Sequence, residues 1–257
     1  MTGFVVPAGY ATLSLPGVEG AALASLETSL REALAGGTFY GYAERHAEAR
    51  PFTGRGLAYA VPLSSGDLVV VRRSRHGGLL RSFRDEKFIG ATRAPRELEI
   101  SLALRRLGVA TPEIVAYATY PAGPMFRRAD VVTREVPKSR DLAAALGTLS
   151  HSDSKRSLII ATGKLLASLS VAGARHPDLN LRNILIADND HGGLVALALD
   201  VDRVWFDAPC SQAVLAANLR RLARSAAKWR RAQGLPIEEA DMLAIESSAR
   251  ELIELSR

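Results

Sequence analysis

Three oxygen-bearing side chains stand at a spacing suited to phosphoryl transfer. Asp178 and Asn183 lie five residues apart, and Asp200 follows 17 residues after Asn183. In such a set one carboxylate orients the attacking hydroxyl or accepts its proton. The amide oxygen and the second carboxylate offer hard ligands to Mg²⁺, which bridges the phosphates of a nucleotide. Asp178 is therefore the expected catalytic residue, and Asn183 and Asp200 the expected metal ligands. Two short apolar runs, 184–186 and 194–199, separate the groups and are joined by residues 187–193. A hairpin there folds Asp200 back towards the loop that carries Asp178 and Asn183.

The elements that must position these groups follow from pattern. Leu23, Leu26, Leu30 and Leu34 recur at helical spacing and predict a leading helix over 20–34, ended by Gly36-Gly37. Residues 57–63 and 68–72 read as strands joined by Ser64-Ser65-Gly66-Asp67, which has hairpin chemistry. Pro95 suits the first turn of a helix running to Leu107, with Gly108 as its stop. Thr111-Pro112 begins an irregular stretch, and 131–133 is a further short strand ended by Pro137. Beyond it the chain turns helical over 141–146, 158–169, 214–232 and 237–255. Strands first and helices later predict an α+β protein in two unequal lobes. The N-terminal lobe, 1–137, binds nucleotide and carries the leading helix; the C-terminal lobe, 138–257, is catalytic.

Composition bounds the partners. The chain has 257 residues, 47% apolar and 23% charged, which excludes disorder as the default. One cysteine, Cys210, excludes an intrachain disulfide and fits a reducing compartment. No apolar run reaches the ~18 residues of a membrane span, and residues 1–10 have neither the basic start nor the apolar length of a signal peptide. A cytoplasmic location is expected. The formal charge of +6 favours an anionic partner.

His176-Pro177-Asp178-Leu179-Asn180-Leu181-Arg182-Asn183 resembles the kinase catalytic loop H-x-D-x-x-x-x-N, with Asp200-Val201-Asp202 in place of Asp-Phe-Gly. More narrowly, His176-Pro177-Asp178-Leu179-Asn180 resembles the H-x-D-L-N loop of the lipopolysaccharide kinases, the family that includes the 3-deoxy-D-manno-octulosonic acid (Kdo) kinases. Val71-Arg72-Arg73-Ser74-Arg75-His76-Gly77-Gly78-Leu79 is similar to that family's basic segment, and Gly54-Arg55-Gly56 to its glycine loop. Asn218-Leu219-Arg220-Arg221-Leu222-Ala223-Arg224-Ser225 resembles its N-L-x-R-L-x-R-S helix. The resemblance spans roughly residues 54–229.

It implies a two-lobed protein-kinase-like fold with a β-rich N-terminal lobe and a mainly helical C-terminal lobe. It also implies ATP and Mg²⁺ as cofactors and a sugar or lipid-linked sugar of the lipopolysaccharide inner core as acceptor. Gly54, Gly56, Arg72 and Glu97 then belong to nucleotide binding. Arg72 falls where kinases usually place the lysine that holds the α- and β-phosphates, and Glu97 is its expected partner, with Glu99 as runner-up. The segment Arg134-Glu135-Val136 is expected to link the lobes and meet the adenine through backbone groups. A phosphotransferase for another small molecule or a protein, and a silent kinase-like binding module, are the alternatives.

Other constellations fail. In Asp188-Asn189-Asp190-His191-Gly192 the position that should carry a calcium loop's bidentate acid is Leu199, so a turn is expected. The histidines and the cysteine lack zinc-ligand spacing. Residues 214–232 hold six Lys or Arg and no acid; Arg220, Arg224, Lys228 and Arg231 line one face and Leu215, Leu219, Leu222, Ala226 and Trp229 another. That basic face is either solvated surface or a site for an acidic sugar or the anionic inner membrane. Without interleaved aromatics it does not predict nucleic-acid binding.

Overall fold

Strand-forming residues dominate the first part of the chain. A computed structural model describes residues 6–52, 58–74, 88–149, 152–189 and 192–255. It divides into one unit of Met1–Glu99 with Glu113–Glu135 and a second of Ile100–Pro112 with Val136–Arg257. The segment Ile100–Pro112 lies before the boundary expected at 137 yet belongs to the second unit, because Ile100, Leu104 and Val109 are buried in its core.

The first unit is an antiparallel sheet of β1 (Tyr10–Leu15), β2 (Val18–Leu23), β3 (Arg50–Phe52), β4 (Ala58–Pro62), β5 (Leu68–Arg73), β6 (Phe88–Ile89), β7 (Ile114–Pro121) and β8 (Phe126–Arg134). The order is β1-β2-β7-β8-β5-β4-β3, with β6 on β8. Two short helices, α1 (Glu27–Leu34) and α2 (Phe39–Arg45), lie between β2 and β3 in the chain. Leu30, Phe39 and Ala43 of these helices share a core with Leu13, Val61, Val69, Val115 and Val132 of the sheet.

The leading helix expected over 20–34 is half right. Its C-terminal part is α1, but residues 18–23 form β2. The reason is backbone proximity: a Cβ on Gly20 would come within 2.1 Å of the Tyr117 carbonyl oxygen. Only glycine lets β2 pair so closely with β7, where Gly20 faces Ala118. The irregular stretch expected after Thr111-Pro112 is corrected too, since β7 is a central strand. Its residues Ile114 to Tyr120 are all buried, and a strand covered on both faces shows no alternation to read.

The second unit begins within α3 (Ala94–Arg106) and continues through β9 (Arg140–Asp141), α4 (Leu142–Gly147), α5 (Ser152–Val171), β10 (Ala174–Arg175), β11 (Ile184–Asp188), β12 (Leu194–Ala198), β13 (Trp205–Phe206), α6 (Gln212–Gln233) and α7 (Glu239–Leu255). Asp141 caps α4, its side chain accepting the Ala144 N–H at 2.7 Å. Strands β12, β11 and β9 form one small sheet, and β10 pairs with β13. Gly173 permits that second pairing: its φ is +69°, and a Cβ there would sit 2.2 Å from the Asp207 carbonyl oxygen. Leu166, Leu169, Leu179, Leu181, Ile184 and Leu222 are fully buried between the helices and these strands. Among the described residues no helix is long and apolar enough to cross a membrane.

Candidate active site

The second unit builds a braced loop from residues 176–183. His176, which follows β10 directly, is 1% exposed, and its Nε2 lies 2.8 Å from the Leu199 carbonyl oxygen. Its Nδ1 accepts the Asp178 backbone N–H at 3.3 Å, so the proton sits on Nε2 and donates to Leu199. The imidazole thus ties the loop to the end of β12. Asn180 caps the turn Leu181–Asn183: its side-chain oxygen accepts the Arg182 N–H at 3.0 Å and its amide donates to the Asp178 carbonyl at 2.8 Å. Asn183 is buried, donates to the same carbonyl at 2.8 Å, and reaches Asp178 Oδ2 at 3.5 Å.

The hairpin of β11 and β12 delivers the third group. Ile184 pairs with Ala198, and the Leu199 N–H donates to the Asn183 carbonyl at 2.9 Å. Asp200, the next residue, is exposed and left-handed, with φ 59° and ψ 50°. Aspartate tolerates that conformation better than most residues. Asp178, Asn183 and Asp200 therefore meet around one turn and one strand end. Two of these offer oxygens to a metal. Among the described residues no group of three or more His, Cys, Asp or Glu could enclose one. A pair of protein oxygens fits Mg²⁺, which keeps several waters and shares itself with phosphates.

Burial pushes the His176 pKa below its ordinary value of 6.5, against the Leu199 bond and the charges of Asp200, Asp178 and Asp202, which pull it up. The unfolded chain then binds the extra proton more readily than the folded one. This contribution to stability is complete above about pH 6.5 and is lost as pH falls below it. Urea denaturation between pH 7 and pH 5 should show stability falling, with a shallower fall in His176→Gln. Parallel profiles for the two proteins would contradict the assignment.

Helix α6 supplies the braces that sequence reading did not foresee. Asn218, fully buried, accepts the His176 N–H and donates to the Ala174 carbonyl, both at 3.0 Å. Ser225 Oγ accepts the Leu181 N–H at 3.2 Å. Between them Arg221 Nη2 donates to Asp178 Oδ1 at 3.0 Å. The positions i, i+3 and i+7 share one helix face, and that spacing was the available signal. The other basic residues of the helix stay outside: Arg220, Arg224 and Lys228 are exposed.

In the first unit Arg72, at the end of β5, forms an ion pair with Glu97 in the first turn of α3. Glu97 is 3% exposed, so it is a buried partner for that guanidinium. Neighbouring Arg73 lies 3.9 Å over the Tyr40 ring. The N–H groups of Arg134 and Glu135 already donate to the Glu113 and Leu68 carbonyls at 2.8 and 2.9 Å. The expected adenine contact therefore cannot come from those two N–H groups. Gly54, Gly56 and the segment 75–79 lie outside the described residues, as do Asp190 and His191.

Comparison with known proteins decides the class. Residues 51–247 match the model of the lipopolysaccharide kinase (Kdo/WaaP) family. The chain belongs to this family. It is 30% identical over 197 residues to the 3-deoxy-D-manno-octulosonic acid kinase of Stenotrophomonas maltophilia, covering 72% of each chain. The enzyme of the same name from Vibrio parahaemolyticus is 30% identical over 142 residues, 54% of this chain and 58% of that one. The chain thus spans somewhat over half of the Vibrio relative's length. A solved structure titled WaaP in complex with acyl carrier protein aligns with TM-score 0.54 at 17% identity over 88% of both chains. The fold of this lipopolysaccharide kinase family member is protein-kinase-like, β-rich in its first unit and mainly helical in its second. The relatives that the chain matches are named kinases, and the family is one of lipopolysaccharide kinases.

Proposed function

We propose that the chain transfers the γ-phosphate of ATP to a hydroxyl of a lipopolysaccharide inner-core sugar, Kdo or its neighbour. The observation that carries this is Asp178 meeting Asn183 and the Asp200 turn in a chain of this family. Asp178 orients the acceptor hydroxyl and takes its proton. The acceptor oxygen forms its bond to the γ-phosphorus as the bond to the β,γ-bridging oxygen breaks, and ADP leaves. Asn183 and Asp200 hold Mg²⁺, which when bound neutralises charge on the phosphates. Arg72, steadied by Glu97, contributes a guanidinium to the phosphates in place of the usual lysine. Arginine suits this because its planar fork binds phosphate oxygens in pairs. Gly54 and Gly56 are assigned to the same nucleotide through family resemblance.

Incubation with ATP, Mg²⁺ and a panel of acceptors, read by mass spectrometry, tests this. The panel holds a Kdo-bearing lipid A precursor, a heptose-extended core, an aminoglycoside and a generic protein. A single phosphate on the first or second is expected. Phosphate only on the others would overturn the substrate assignment, and nucleotide binding without any turnover would favour a silent binding module.

The basic face of α6 is proposed to help recruit the anionic acceptor or its membrane. Charge reversal at Arg220, Arg224 and Lys228 together should raise the acceptor KM severalfold at low salt and less at high salt, since screening shortens the reach of exposed charges to ~10 Å at 0.1 M. An acceptor KM that does not move at low salt would reduce these residues to solvated surface.

A further inference from the structure

The contact between Arg221 and Asp178 does not suit a folding role. Both side chains are well exposed, 39% and 47%. Ion pairs that open to water add little to stability. The loop is already tied to α6 on either side of this contact, through Asn218 and Ser225. Nor does the contact suit the chemistry as it stands, because the guanidinium occupies Oδ1 of the carboxylate to which an acceptor hydroxyl must donate. Arg221 Nε is buried and has no hydrogen-bond partner among the described residues. A buried donor left unsatisfied is costly, and a state that gives it an acceptor relieves that cost.

We infer that Arg221 is the acceptor's anion anchor, a specificity residue that pairs with Asp178 until an acidic sugar arrives and then binds the sugar's carboxylate. The inference rests on the function proposed above and takes Kdo, the sugar acid of the two acceptors named there, as the substrate. The guanidinium fork matches a carboxylate in two parallel hydrogen bonds. Turning from Asp178 to the incoming acid gives the unpartnered Nε an acceptor and frees Oδ1 for the hydroxyl. Recognition and activation are thereby one event: an acceptor without the acid leaves Arg221 on the carboxylate it needs. Arg220 and Arg224 cannot replace it, since they lie on the exposed face of α6.

The test compares a Kdo glycoside with its methyl ester, which keeps shape and hydroxyls and loses the charge. Wild-type kcat/KM should fall about 10- to 100-fold on esterification, the worth of a charged hydrogen-bond pair. In Arg221→Gln the two acceptors should be turned over almost equally, and Arg221→Lys, with charge and no fork, should fall between. The ratio between acceptors cancels any effect of the variant on Asp178 itself. Unfolding midpoints and Mg²⁺-ATP affinity, measured in parallel, establish that each variant is folded. An ester penalty that persists in Arg221→Gln, or no penalty in the wild type, would overturn the inference while leaving the kinase reading intact. A wild type that phosphorylates no lipopolysaccharide-core acceptor at all would remove both.

Discussion

Asp178→Asn should lower kcat by about 10²–10⁴-fold while Mg²⁺-nucleotide affinity stays close to that of the wild type, the usual range for losing a general base. The substitution keeps the side chain's shape. Asn183 and Asn180 donate to the backbone carbonyl of residue 178, so the loop keeps those bonds. The loss falls on the side chain's negative charge and basicity, and with them on its ion pair to Arg221. Asp200→Asn should behave differently. It removes charge from the turn proposed to hold Mg²⁺, so the Mg²⁺ requirement should rise and productive nucleotide binding should weaken. Asn183→Ala should give a milder form of the same defect. Titration of Mg²⁺ and ATP beside steady-state turnover separates the two behaviours. Near-normal turnover in Asp178→Asn would show that this loop is not the catalytic one.

What could be read from sequence depended on whether local chemistry or distant packing set each feature. The hairpin of β4 and β5 was legible because Gly66 supplies a turn with φ +86° between two short, mostly apolar runs. So were α3, with Pro95 in its first turn, and the pairing of β11 with β12 that returns Asp200 to the loop. Strand β7 was not, because burial on both faces erases the alternation that marks a half-exposed strand. The sequence of β2 could not be told from a helix start, since the contact that settles it comes from Tyr117, almost a hundred residues away. The same distinction holds in the site. Asp178, Asn183 and Asp200 share one motif and its hairpin. The residues that meet the loop from α6, Asn218, Arg221 and Ser225, lie on a helix some 40 residues later. Their spacing was visible, whereas their target was not. Attention to the number of charges on that helix favoured Arg220, Arg224 and Lys228, which are exposed to water.

The brace at Asn218 carries the largest expected effect on stability. Its amide satisfies two backbone groups on either side of the β10–His176 junction, and no water reaches it, since the side chain is fully buried. Asn218→Ala would strand the His176 N–H and the Ala174 carbonyl together. Each buried group left without a partner costs about 1–3 kcal/mol, so a loss of about 2–6 kcal/mol is expected from urea denaturation. Arg220→Ala, one turn-position away on the exposed face, should change stability by less than about 0.5 kcal/mol and serves as the control. The loss should also reach function in the folded fraction. His176 positions Asp178 through its Nδ1 bond, so loosening its backbone should lower kcat at temperatures where Asn218→Ala is still fully folded. Amide exchange at His176 and Leu181 would report the loosening directly. If Asn218→Ala proved as stable as Arg220→Ala, with both amides as protected as in the wild type, α6 would be a neighbour of the 176–183 loop and not its support.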